Sequence, residues 1–132
     1  MFLVIYPLRM HKRTLGSSPG PAVGDFLPLT PAIHHILLAL VDEERHGYGI
    51  MLEVSRLTDG ATKMGPGTLY GTLKRLLSSG LIDEADERPD PALDDERRRY
   101  YRITKLGARV LRAETSRVSL LVSAARVKKV RP

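Results

Sequence analysis

The chain has no cysteine and no tryptophan, and two phenylalanines and five tyrosines supply all its benzenoid rings. A disulfide framework, a thiol nucleophile and a cysteine-ligated zinc site are therefore excluded, and a reducing compartment, the cytoplasm by default, is the expected location. No apolar run approaches the roughly 20 residues of a membrane span, so no membrane partner is expected. The apolar stretch at residues 2–8 contains Pro7 and comes before its cations Arg9, Lys12 and Arg13. A secretory signal has the opposite order. Catalytic parts are also missing: there is no serine nucleophile elbow and no His-x-x-x-His, and Gly65-Pro66-Gly67 lacks the Gly-Lys-Ser/Thr that would make a phosphate loop. The adjacent His34 and His35 project about 100° apart on a helix and cannot chelate one metal together. The expectation is a protein that is not an enzyme and has no metal and no cofactor.

What is present is an ordinary globular composition, 42% apolar and 27% charged over 132 residues, enough for one compact domain. The net charge of +6 is distributed unevenly. Residues 1–24 carry +3, residues 25–96 carry −8, and residues 97–132 carry +11 with Glu114 as their one acid. Cations concentrated in this way attract a polyanion, nucleic acid first. Gly16, Ser17, Ser18, Pro19, Gly20, Pro21 and Gly24 read as a linker, so residues 1–24 are expected to be a flexible extension.

Thr30 is placed to cap a helix whose first residue is Pro31, and Ile33, Ile36, Leu37, Leu40 and Val41 give that helix one broad apolar face. A second helix fits residues 48–57, with Tyr48, Met51, Leu52, Ser55 and Leu57 as a partial inward face, and ends at Asp59 and Gly60. A third starts at Pro66 and stops at Gly80, with Leu69, Leu73, Leu76 and Leu77 turned inward. Its other face carries Thr68, Thr72, Lys74, Arg75 and Ser78, and no acid occurs between Met64 and Ile82. A helix that enters the major groove needs donors and must not bring carboxylates to phosphate.

The periodicity then changes to that of strands. Leu81 and Ile82 begin one, and Tyr101 and Ile103 alternate with Tyr100 and Arg102 in another. Residues 83–98, with Pro89 and Pro91, read as a long hairpin tip. The expected fold is mainly α with a small β-hairpin: a winged helix-turn-helix over residues 25–104, followed by a C-terminal dimerisation helix and basic tail over 105–132. That last helix is about 35 Å long, more than so small a core can cover. Leu106, Val110, Ala113, Leu120, Ala124 and Val127 are its expected dimer seam, interrupted by Arg117; the alternative is a helix folded back on its own domain.

Four segments, His46-Gly47-Tyr48-Gly49-Ile50, Gly67-Thr68-Leu69-Tyr70 running to Leu73, Ser79-Gly80-Leu81-Ile82, and Arg99-Tyr100-Tyr101-Arg102-Ile103-Thr104-Lys105-Leu106-Gly107, resemble the PadR family of bacterial transcriptional regulators in order and spacing. The resemblance covers about residues 29–112. It implies a dimeric winged-helix repressor of a palindromic operator in double-stranded DNA, in some members released by a small aromatic or cationic ligand near the dimer interface. For such a pocket it suggests Ile36, Leu40 and Val118. Gly65 and Gly71 depart from the family, which often has a polar cap and a proline there. The wing is also unusually acidic, with Asp83, Glu84, Asp86, Glu87, Asp90, Asp94, Asp95 and Glu96.

The candidate DNA contacts are Lys63, Thr68, Tyr70, Thr72, Lys74 and Arg75 at the third helix, with Arg97 and Arg98 on the wing. An ion pair to Glu53 is the rival role for Arg75, and Tyr101 is expected in the core. The rival function is a winged-helix module that binds a protein partner and has no specific affinity for DNA.

Overall fold

The computed structural model describes residues 22–89 and 97–132. Its elements are α1 (Pro31–Leu40), β1 (Arg45–His46), α2 (Gly47–Leu57), α3 (Pro66–Ser78), β2 (Ile82–Glu84), β3 (Arg88–Pro89), β4 (Arg97–Arg98), β5 (Tyr100–Ile103) and α4 (Lys105–Val127). The extension expected over 1–24 lies outside the described residues up to residue 21. From Val23 the chain already belongs to the domain, because Val23–Phe26 form a 3-10 helix whose Val23 and Phe26 pack on the core.

Local chemistry explains where the helices start. Thr30 Oγ1 accepts from the Ile33 amide at 3.3 Å ahead of α1, and Thr104 Oγ1 accepts from the Gly107 amide at 3.0 Å ahead of α4. Each threonine satisfies a first-turn donor that has no partner within the helix. At α2 the cap is His46, whose Nδ1 accepts from the Gly49 amide at 2.9 Å. α3 begins on Gly65 with no side-chain cap, and relies on Pro66 to preset the first turn. It ends where Gly80 takes a φ of 78°, and the Leu81 amide turns back to the Leu76 carbonyl at 3.0 Å.

β5 is the centre of a three-stranded antiparallel sheet in the order β1-β5-β2. Arg45 faces Tyr101 on one side, and Ile82 faces Ile103 on the other. The sequence indicates two strands. β1 escapes that reading because it is only two residues long and lies between three acids and Gly47. The hairpin is also more regular than expected: Asp83 and Glu84 extend β2, and β3 pairs with β4 in a separate ladder that sets Arg88 opposite Arg98. The tip between them, residues 90–96, lies outside the described residues.

The core gathers Ile36, Leu37 and Leu40 of α1, Ile50 and Val54 of α2, Leu69, Leu73 and Leu76 of α3, then Leu81, Ile82 and Tyr101 from the sheet side. α4 closes it with Val110 and Leu111. Two residues expected on the dimer seam belong to the core instead. Val110 is fully buried within its own chain, and Leu106 is half-buried against the same core, because the first half of α4 packs on α1 and β5. Glu114 is the last buried residue of α4, so the helix runs roughly 20 Å further with little cover from its own chain. Among the described residues no helix is long and apolar enough to cross a membrane.

Candidate nucleic-acid interface

α2 and α3 are joined by a turn in which Asp59 and Gly60 adopt left-handed conformations. Thr58 stitches that turn together: its hydroxyl donates to the Val54 carbonyl at 2.9 Å and accepts from the Thr62 amide at 3.0 Å. This fixes α3 relative to α2, the relation a helix-turn-helix needs to present one helix to DNA.

At 100° per residue, the buried Leu69, Thr72, Leu73 and Leu76 of α3 leave Gly67, Gly71, Lys74 and Ser78 on the opposite line. Tyr70 flanks that line on one shoulder, and Thr68 and Arg75 on the other. All of these are exposed, as is Lys63 in the preceding turn. Lys74 has no carboxylate partner among the described residues.

One expected contact is corrected. Thr72 is 1% exposed, and its hydroxyl donates to the Thr68 carbonyl at 2.7 Å. A threonine inside a helix commonly satisfies its hydroxyl this way, and here Thr72 also fills the gap between Leu69 and Leu76. The proposed ion pair between Arg75 and Glu53 does not form. Arg75 leans to Thr72 Oγ1 at 3.4 Å, while the Glu53 carboxylate takes Arg56 at 2.8 and 2.6 Å, with Arg45 at 3.8 Å. The bonded Arg56 guanidinium lowers the Glu53 pKa against the effect of burial.

Tyr70 is half exposed, and its ring edge and hydroxyl lie against Gly47 at the start of α2. Its neighbour Tyr48 is equally exposed and sits under the wing, with the Arg98 guanidinium 5.8 Å from its ring centroid. The expected inward place of Tyr48 is corrected: Ile50, Glu53 and Val54 take the buried side of α2, which turns Tyr48, Leu52 and Leu57 to the surface. The side chain of Arg97 lies outside the described part of the structure. Tyr101 is buried as expected, and that burial raises its pKa.

The expected effector pocket is not formed by its three named residues. Ile36 and Leu40 are core residues, and half-buried Val118 lies beyond them on α4. The same two helices instead frame an open groove of about 360 Å³, with Leu38, Val41 and Leu111 as its apolar wall and Arg112, Thr115 and Ser116 along its edge. His35, on α1, has a buried Nδ1 without a hydrogen-bond partner among the described residues, and burial followed by the charge of His34 lowers its pKa.

Residues 36–113 match the Transcriptional regulator PadR-like family. The chain belongs to this family. The family is one of transcriptional regulators and not of enzymes. A transcriptional regulator of Mycobacterium tuberculosis is 39% identical over 77 residues, covering 58% of this chain and 65% of that protein. The chain spans less than two thirds of the length of the curated relatives it matches, 63% and 65% for two of them. Among solved structures, a PadR-like transcriptional regulator from Bacillus cereus superposes with a TM-score of 0.63 at 21% identity, covering 76% of this chain and 92% of that one. Bacillus subtilis PadR in complex with operator DNA gives a TM-score of 0.55 at 21% identity over 65% of this chain and 46% of that one. These structural likenesses establish the winged-helix fold.

Proposed function

We propose that this PadR-like chain is a homodimeric, sequence-specific repressor that binds a palindromic operator in double-stranded DNA. The observation that carries this reading is the outer face of α3, free of acid, with Lys74 at its centre and Thr68, Tyr70 and Arg75 on its shoulders. α3 enters the major groove, Lys63 approaches the phosphates ahead of it, and Arg97 and Arg98 reach the adjacent backbone from the wing. Gly67 and Gly71 leave only a short side-chain layer between the α3 backbone and the base edges.

The dimer forms through the second half of α4. Leu120 is 73% exposed and Val127 83% exposed, and Ala124, Leu121 and Val122 are open to solvent between them. So much apolar surface on one helix favours a partner copy, with Ala113 at the near end of the seam. Two-fold symmetry then sets two half-sites about one DNA turn apart. The groove between α1 and α4 takes the effector, and Arg112 on its edge favours an aromatic ligand over a cationic one.

Fluorescence anisotropy against duplexes tiling the upstream region of the protein's own gene, at two salt concentrations, tests the reading. Tight binding to one duplex that falls steeply with salt is expected. Equal, weak binding to every duplex and to a scrambled control would sink it in favour of a protein-binding winged helix.

A further inference from the structure

Glu44 lies in the turn between α1 and β1 and faces the base of the wing. Its carboxylate meets two arginines at once. Oε1 accepts from Nη2 of Arg88 on β3, and Oε2 stands 3.9 Å from Nη1 of Arg102 on β5. Arg88 is held from a second side, because its guanidinium lies 4.1 Å from the centroid of the Tyr100 ring. That ring in turn packs edge-on against His46, with centroids 5.3 Å apart. Arg99 is engaged in the same way, its Nη1 3.3 Å from Oε1 of Glu84. Arg88 and Arg99 of the wing are thus already held by carboxylates in the free protein.

All of these side chains are partly open to water, where an ion pair contributes about 1 kcal/mol or less. Such a pair is strong enough to set where a guanidinium rests and weak enough to be exchanged. A DNA phosphate accepts charge-assisted hydrogen bonds from arginine and releases condensed counterions when it does. The exchange is favourable only where docking of α3 brings a phosphate to the wing base at the right distance. A duplex held loosely by long-range charge does not bring one there.

We propose that Glu44 is a positioning residue that sets DNA specificity: it keeps Arg88 against Tyr100 in the free protein and releases it to a phosphate when the operator seats α3. The proposal rests on the DNA-binding reading above. On non-operator DNA, Arg88 stays with Glu44 and adds nothing to affinity; on operator it adds a phosphate contact. The carboxylate therefore widens the ratio between the two affinities without touching a base.

The test compares Glu44→Gln with Glu43→Gln in the full chain. Both remove one negative charge, but Glu43 pairs with Arg45 at 3.0 Å and not with Arg88. Anisotropy with a random-sequence duplex is expected to show Glu44→Gln binding about two- to fivefold more tightly than wild type. The plot of log affinity against log salt should steepen by about one unit, a readout that a purely structural role would not raise. Affinity for the preferred upstream duplex should change less, so the ratio falls. Glu43→Gln should produce a smaller gain and no change in slope. In the double variant Glu44→Gln/Arg88→Gln the gain should vanish, leaving the affinity of Arg88→Gln alone.

Equal behaviour of the two glutamine variants, or a gain that survives loss of Arg88, would overturn the proposal. If no upstream duplex is preferred, the operator reading fails by itself, while the random-duplex comparison still decides the role of Glu44.

Discussion

The hydroxyl end of Tyr70 rests on the Cα of Gly47, so that a Cβ placed there would stand 2.9 Å from Tyr70 Cζ. Two parts of the helix-turn-helix that are 23 positions apart are thereby set against each other, the start of α2 and the exposed shoulder of α3. The obstructing atoms belong to the free end of a half-exposed side chain, which can swing away. Gly47→Ala is therefore expected to cost only about 1 kcal/mol in stability, while throwing the Tyr70 ring outward on α3 and weakening binding to the preferred duplex. Thermal melts beside anisotropy check this, and a loss of stability much larger than the loss of affinity would contradict it.

Lys74 is the cation at the centre of the outward line of α3. If it contacts phosphate, Lys74→Ala should weaken binding to all duplexes alike and reduce the salt slope by about one unit. If it reads a base, preference between duplexes should fall instead. A variant with both quantities unchanged would remove Lys74 from the interface.

Gly71 has open space around its Cα, with nothing within 4 Å of a built Cβ. Alanine there should stabilise α3 by up to about 1 kcal/mol, since glycine is the costlier residue in a helix interior. The added methyl points toward the DNA side, so operator affinity should drop as stability rises. Opposite changes in melting temperature and affinity are the expected signature; a parallel rise in both would show that the α3 backbone does not approach the groove closely.

Glu114 is a buried acid in the otherwise basic last third of the chain, and it is fully engaged. It accepts from Arg117 Nε at 2.7 Å and Nη2 at 3.0 Å, and from the Leu29 amide at 3.2 Å. The bonded Arg117 guanidinium, and then the Leu29 amide, lower its pKa below the ordinary 4.5 in spite of burial. A group whose pKa is depressed on folding adds stability that is complete above the unfolded value and lost as pH falls through the folded one. Thermal stability should therefore decline below about pH 4.5, with Glu53 adding in the same direction. Glu114→Gln should cost about 1–3 kcal/mol at neutral pH and flatten the acid decline. An unchanged decline in that variant would assign the acid sensitivity elsewhere.

Leu120→Asp places a charge in the exposed second half of α4 and should convert the proposed dimer to monomer in sedimentation, with the winged-helix domain still folded. A variant that remains dimeric would move the interface off this helix.

The starts of α1 and α3 were legible because each rests on a local rule: a threonine before Pro31, and Pro66 in a first turn. The α3 stripe of Leu69, Leu73 and Leu76 was legible for the same reason, since periodicity alone sets its inward face. What escaped depends on contacts between distant positions. Thr72 looks outward in a list of polar residues, but three residues after Leu69 and four before Leu76 it shares their side of the helix and is drawn into the core. Arg88 looks available until Glu44, 44 positions before it, is brought beside it by the β1-β5 pairing. Val110 and Leu106 fit a dimer seam by spacing, and only the docking of α4 on α1 and β5 shows that their own chain has claimed them.

The bond from Glu114 to the Leu29 amide ties the entry to α1 to a helix that leaves the domain one turn later. Arg117, which holds that carboxylate, lies at the threshold of the bare stretch where a second copy would dock. The Leu29 amide thus stands at the inner end of a lever whose outer end is the proposed meeting of two subunits, and its exchange with solvent would register assembly from inside the domain.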